Sequence, residues 1–242
     1  MSFLKNHPFP VEAYFRQSLV LSFAVPKEQL QLLLPGKLEL DTFQDQWGFL
    51  AVAMVDTKDL RPKGFPRMFG QDFFLIGYRL FVRYTSKNGK KLRGLYILRS
   101  ETDKKSMKWL GNLFTHYQYH HRDVSISEVS NTYLVQSKMD GFVVKVEKGL
   151  TEPLLPASSP FTNWAEARRF AGPLPHTFTH LQAKNAVLMV EGVRENWTPS
   201  PVRIIEYQIP FIESLELKGI TLANAFQIND IPYYWKKGRL DQ

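Results

Sequence analysis

Apolar runs rich in aromatic and β-branched residues recur along the whole chain, and they limit the fold more than any other feature. Residues 14–25 (YFRQSLVLSFAV) end at a proline, and 47–55 (WGFLAVAMV) reads as a largely buried strand. Residues 73–84 (FFLIGYRLFVRY) and 92–98 flank the linker TSKNGKK, where Asn88-Gly89 supplies the positive φ angles of a tight hairpin turn. Asp140-Gly141 sits likewise between TYLVQSKM and FVVKVE. Further strands are expected at 177–181, 186–193, 202–209 and 221–228. Helical signals are few. Pro26 opens a short helix that stops at Pro35-Gly36, and Asp103 is placed to cap KKSMKWLGNLF. Asn163, with Glu166 three residues on, resembles a capping box. The pattern predicts one α+β domain over residues 1–242. It is predominantly antiparallel β, a curved or barrel-like sheet enclosing a cavity, with a few short helices. GLTEPLLPASSPFTN is the best candidate for a long surface loop.

Composition narrows the chemistry. Hydrophobic content is 44%, enough for a real core. There is no cysteine, so disulfides, thiolate metal sites and cysteine nucleophiles are excluded. With no apolar run of signal-peptide type near the N-terminus and none long enough to span a bilayer, the expected address is cytoplasmic. The net charge is +8, spread along the chain without a zinc-finger or RNP signature, so nucleic-acid binding is not expected. No phosphate loop, GxSxG elbow or HExxH occurs. The oligomeric state is open, a homo-oligomer included.

GNLFTHYQYHHR, from Gly111 to Arg122, packs three of six histidines and two tyrosines into a short stretch. Two H-x-x-x-H spacings exist, His116/His120 and His176/His180. Both stretches read as strand, where residues four apart lie about 13 Å apart, too far for one ion. No metal and no cofactor are expected.

Several segments, in order, resemble acetoacetate decarboxylase. LQLLLPGKLELD is similar to that family's VVPEPLEID region, FLAVAMVDT to its next strand, and VRENWTPSPVRI to its VHEAWTGPTRL. A closer resemblance is to an uncharacterised, decarboxylase-like family known as a domain of unknown function. Its LRPxGxP is matched by LRPKGFP (60–66) and its GVYFLSLDAD by GLYILRSETD (94–103). Its late H-x-x-W-x-x-x-P segment is matched by RENWTPSP, with Arg194 where histidine is usual.

The decarboxylase pattern GRELSAYPKK carries the Schiff-base lysine. Laid on this chain, its tyrosine falls on Tyr117, its proline on Gln118, and its two lysines on Tyr119 and His120. A tyrosine has no amine and cannot form an imine, so the family's known mechanism is not expected here. The family's pocket acids fall near Leu50 and Phe65, and its arginine on Arg16. The resemblance implies a cavity for a small carboxylated or carbonyl-bearing molecule. Arg16, Arg61, Arg79, Tyr117 and Trp197 are its candidate ligand-binding groups. The alternatives are an enzyme using Tyr119 and His120 for acid–base work on a carbonyl, and a non-catalytic module with a basic surface. If the strand alternates strictly, Tyr117 and Tyr119 face one way and His120 the other.

Overall fold

The computed structural model describes residues 3–150, 155–195 and 197–241. In chain order the elements begin with β1 (Val11–Pro26), α1 (Lys27–Gln31), β2 (Glu39–Leu40), β3 (Trp47–Pro62), β4 (Gln71–Thr85) and β5 (Lys91–Thr102). There follow α2 (Lys105–Phe114), β6 (Tyr119–His121), β7 (Val124–Val129), β8 (Thr132–Ser137), β9 (Val143–Glu147) and α3 (Trp164–Phe170). The last are β10 (His176–Leu181), β11 (Ala186–Arg194), β12 (Ser200–Pro201), β13 (Arg203–Gln208), α4 (Pro210–Glu213), β14 (Thr221–Trp235) and β15 (Arg239–Asp241).

The main sheet runs β12-β14-β1-β3-β4-β5-β10-β11-β15, and β11 also pairs β14 through Gly192↔Trp235 and its neighbours. That extra pairing curls the sheet on itself. Its pairings are antiparallel except where β5 meets β10 and β6. A second sheet, β13-β9-β8-β7, covers the outer face. Leu19, Leu21, Leu50, Val52, Ile76 and Leu80 of the curled sheet pack there against Val135, Val144 and Val146. On the inner face Phe49 stacks with Phe81 and Phe161, and Phe170 packs at a tilt against Phe49 and Phe81, plugging one end. Both faces of β1 and β3 are therefore covered, which is why their sequences read as near-continuous apolar runs.

The expected hairpin at Asn88-Gly89 forms with a longer loop. Only Gly89 takes positive φ (74°), and Ser86 closes the loop by donating its N–H to Lys90 O. Asp103 does not cap α2. Its carboxylate accepts from Phe74 N at 2.7 Å, tying the helix entry to β4, and Lys104 occupies the cap position without a side-chain bond. Asn163 does cap α3, accepting from Glu166 N at 2.9 Å, but Glu166 reaches back to Thr162 instead of closing the box on Asn163. Part of the expected long loop, 151–154, lies outside the described residues. No helix among the described residues is long and apolar enough to cross a membrane.

Candidate functional site

Inside the curl, at the end away from the phenylalanine plug, lies a cavity of about 320 Å³. Strand alternation builds its wall. Along β4, Phe81 points into the plug, then Arg79, Leu75, Phe73 and Gln71 follow towards the mouth. Arg79 pairs with Ala51 on β3 and Ile97 on β5, and the register of β4 against β5 shifts between Tyr78 and Arg79. A Cβ at Gly77 would stand 2.9 Å from Arg79 Nε, so the glycine leaves the space that the guanidinium fills.

Arg79 is the unusual group. Its Nε is fully enclosed without a hydrogen-bond partner, and it pairs with no carboxylate among the described residues. Burial lowers its pKa, opposed by the phenols of Tyr233 and Tyr119. An arginine stays protonated in a protein, so the site holds a cation whose Nε is enclosed while the side chain as a whole is part-buried. Arg194, at the end of β11, also lines the cavity. It donates to Leu174 O at 3.2 Å, and its guanidinium carbon lies 4.3 Å from the Trp197 ring centroid. Burial lowers its pKa as well, and Tyr233 opposes the shift. Among the described residues that line the cavity there is no aspartate, glutamate or lysine.

The histidine-rich stretch supplies the wall on the far side of β5 from β4. Gln118 takes a left-handed φ of 52°, and only Tyr119–His121 forms strand, parallel to β5. Tyr119 is buried and faces the cavity, with Tyr117 beside it. The Asn112 side chain clamps the Tyr119 backbone, accepting from its N–H at 2.9 Å and donating to its carbonyl at 2.8 Å. Burial pushes the Tyr119 phenol up to about 12, with Arg79 pulling it down. Tyr117 is also raised by burial, opposed by the neighbouring Thr177 side chain. Both phenols are protonated donors at neutral pH.

The other nominated residues divide. Arg61 lines the mouth but is already engaged, donating to Phe65 O and Asp59 O and ion-paired with Glu12 and Asp59. It braces the LRPKGFP turn. Trp197 lines the cavity with its Nε1 enclosed and unpartnered. Arg16 is not in the cavity. Alternation turns Phe15 inward and Arg16 outward, where it is 65% exposed and paired with Asp56. His120 is exposed and faces away from Tyr119, so the Tyr119–His120 pair does not converge. The two H-x-x-x-H spacings do not assemble a metal site either, since no cluster of three or more ligand-type residues occurs among the described residues.

Three lining groups carried no usable sequence signal or a misread one. Tyr233 lies on the far half of β14, beyond the expected strand end. Arg194 was visible only as a departure from the family pattern. His7 is buried in the N-terminal segment, where no periodicity marks it.

The profile of one family, the uncharacterised conserved proteins designated DUF2071, matches residues 12–239. No curated protein matches significantly. Among solved structures, the chain is similar to the acetoacetate decarboxylase of Legionella pneumophila, with 12% identity, TM-score 0.62, and coverage of 97% of this chain and 88% of the other. An acetoacetate decarboxylase-like enzyme from Sphingomonas wittichii matches with 12% identity and TM-score 0.58, over 98% and 93% of the two chains. The enduracididine biosynthesis enzyme MppR complexed with pyruvate matches with 10% identity and TM-score 0.57, over 96% and 90%. At these identities the likeness is one of fold.

Proposed function

The chain belongs to the DUF2071 family, on an acetoacetate decarboxylase-like fold, and from its cavity we propose that it binds a small carboxylated or carbonyl-bearing molecule. The observation that carries the proposal is the unpaired Arg79, with its Nε enclosed. A buried cation without a counter-charge costs stability, and an incoming carboxylate offsets that cost. Arg79 and Arg194 supply the donors for such an anion, and among the described residues no lining acid competes for them. Tyr117 and Tyr119, held protonated, donate to its remaining oxygen atoms. A neighbouring fold that has been described with pyruvate bound supports the same kind of ligand. Imine chemistry is not part of this reading, since no primary amine lines the cavity among the described residues.

The test is thermal unfolding of the wild type, Arg79→Met and Arg194→Met with a panel of organic carboxylates and keto acids. A ligand at a hundred times its Kd stabilises the wild type by about 2.7 kcal/mol. Arg79→Met loses that shift. Without ligand the same variant is more stable than the wild type, by about 1 kcal/mol, because the unpaired cation is gone. If no carboxylate or carbonyl compound shifts the wild type, the reading is wrong.

A further inference from the structure

The cavity is divided by chemistry along its length. At the inner end, against the phenylalanine plug, Arg79 is grouped with Arg194, Tyr117, Tyr119 and Tyr233. Towards the mouth one side of the wall is apolar, while Arg61 and Gln71 stand at the rim. Phe73 and Met107 form a buried cluster on that apolar side, reaching back to the Tyr119 ring, with Leu60 and Leu75 packed against it. Leu110 and Phe114 of α2, with Phe9, continue that wall, and Phe69, 56% exposed, stands at the opening. The Arg79 guanidinium lies over Gly77, and from there to Phe73 is four residues of strand, or about 13 Å.

Size points the same way. At roughly 30 Å³ per water, a cavity of 320 Å³ has room for about ten water-sized groups. A pyruvate-sized acid fills only part of that and leaves the apolar wall uncovered.

We infer that the ligand is an amphipathic monocarboxylate, with its carboxylate on Arg79 and Arg194 and an aliphatic or aryl body lying along Phe73, Met107, Leu110 and Phe114 towards the mouth. This rests on the carboxylate-binding reading and adds the body of the ligand and its direction. A polar body of the same length fits less well. Among the described residues, the charged group on the way out is Arg61, which Glu12 and Asp59 already neutralise.

The experiment is calorimetric titration of the full chain with straight-chain carboxylates from acetate to dodecanoate, below their aggregation thresholds. Pyruvate, 3-phenylpropionate and octanol are titrated alongside. Affinity is expected to rise roughly three- to fourfold per added methylene. It then levels off or falls once the tail reaches the mouth. Octanoate is expected to bind at least tenfold tighter than octanol, and Arg79→Met to erase that preference. Met107→Trp, which narrows the apolar wall, moves the optimum to a shorter chain. The wild-type series and the acid–alcohol comparison need no variant to fold. If pyruvate binds as tightly as octanoate, the amphipathic inference falls while the arginine site stands. If affinity climbs without an optimum and octanol matches octanoate, the binding is surface adsorption and the inference falls. If no carboxylate binds at all, the site reading falls and takes this inference with it.

Discussion

At the scale of single residues, the candidate site is shaped by what has been left out as much as by what is present. Gly111 sits inside α2, where glycine costs a helix about 1 kcal/mol relative to alanine. Propensity alone therefore predicts that Gly111→Ala stabilises the protein. Sterics predict the reverse. A Cβ at Gly111 would stand 2.4 Å from the Tyr119 ring, and the ring cannot retreat freely because Asn112 holds the Tyr119 backbone at both N–H and carbonyl. Overpacking of this kind costs about 1–3 kcal/mol, so the clash wins. Gly111→Ala should lower the urea midpoint, with a net loss of about 1 kcal/mol. The same change in the double variant with Tyr119→Ala should be neutral or stabilising. An increase in the midpoint of the single variant would show that the helix can shift and that Tyr119 is not pinned.

At the scale of elements, the two sheets are joined by a buried charged cluster as well as by apolar packing. Glu101 at the end of β5, 1% exposed, accepts from Arg122 Nε at 2.5 Å and Nη2 at 3.0 Å, and from Tyr78 at 3.1 Å. Arg122, between β6 and β7, carries the chain from one sheet to the other and also binds Asp140 in the β8–β9 loop. Removing one member of a buried pair leaves the other uncompensated, typically at a cost of about 3–5 kcal/mol. Glu101→Ala is expected near the lower end, about 3 kcal/mol, because Asp140 remains as a partner. The double variant Glu101→Leu with Arg122→Met should recover part of the loss, since Arg99 and the buried Tyr78 hydroxyl still lack the partner that Glu101 supplied. A single-variant loss under about 1 kcal/mol in denaturant unfolding would mean that apolar packing alone joins the sheets.

The elements also show how far the sequence can be read. Strands with a continuous or alternating apolar pattern were legible, because burial on one or both faces writes itself into composition. The far halves of β3 (through DTKDLRP) and β14 (through NDIPYYW) were not. Their polar residues and prolines mimic a loop. They are held as strand by pairing with the start of β1, through Glu12↔Arg61 and Ala13↔Tyr233, and no local pattern encodes those long-range pairings. The site divides along the same line. The separation of His120 from Tyr119 could be reasoned from alternation, but Tyr117 reaches the cavity through the left-handed turn at Gln118, which no pattern marks. His7 and Tyr233 could not, because they reach the cavity through chain ends that meet only in three dimensions. A spare aromatic cluster in PYYW was the one available hint.

At the scale of the whole molecule, His7 is where those chain ends meet. Its backbone N–H donates to Phe114 O at the end of α2 at 3.1 Å, and its carbonyl accepts from Gly238 N at 2.8 Å, just before β15. The side chain is buried against the cavity, with Nδ1 unpartnered, and burial lowers its pKa from 6.5 to about 4. The folded state therefore keeps His7 neutral where the unfolded chain takes up a proton. Between pH 6.5 and about 4 the unfolded state binds more protons, so stability must fall as the pH drops through that window and level off, for this group, below it. At 1.36 kcal/mol per pH unit the full loss is about 3 kcal/mol. His116, half-buried and also lowered by burial, acts in the same direction. Carboxylates held below their usual range, such as Asp72 and Asp140, lose their contribution at lower pH. The clean comparison is thus between the wild type and His7→Asn, since asparagine tolerates the left-handed backbone found here, φ 53°. Urea midpoints measured from pH 7 to pH 4 should fall steeply for the wild type and much less for the variant. Parallel curves would show that the proton is taken up elsewhere and that His7 is not the acid-sensitive latch between the two ends of the chain.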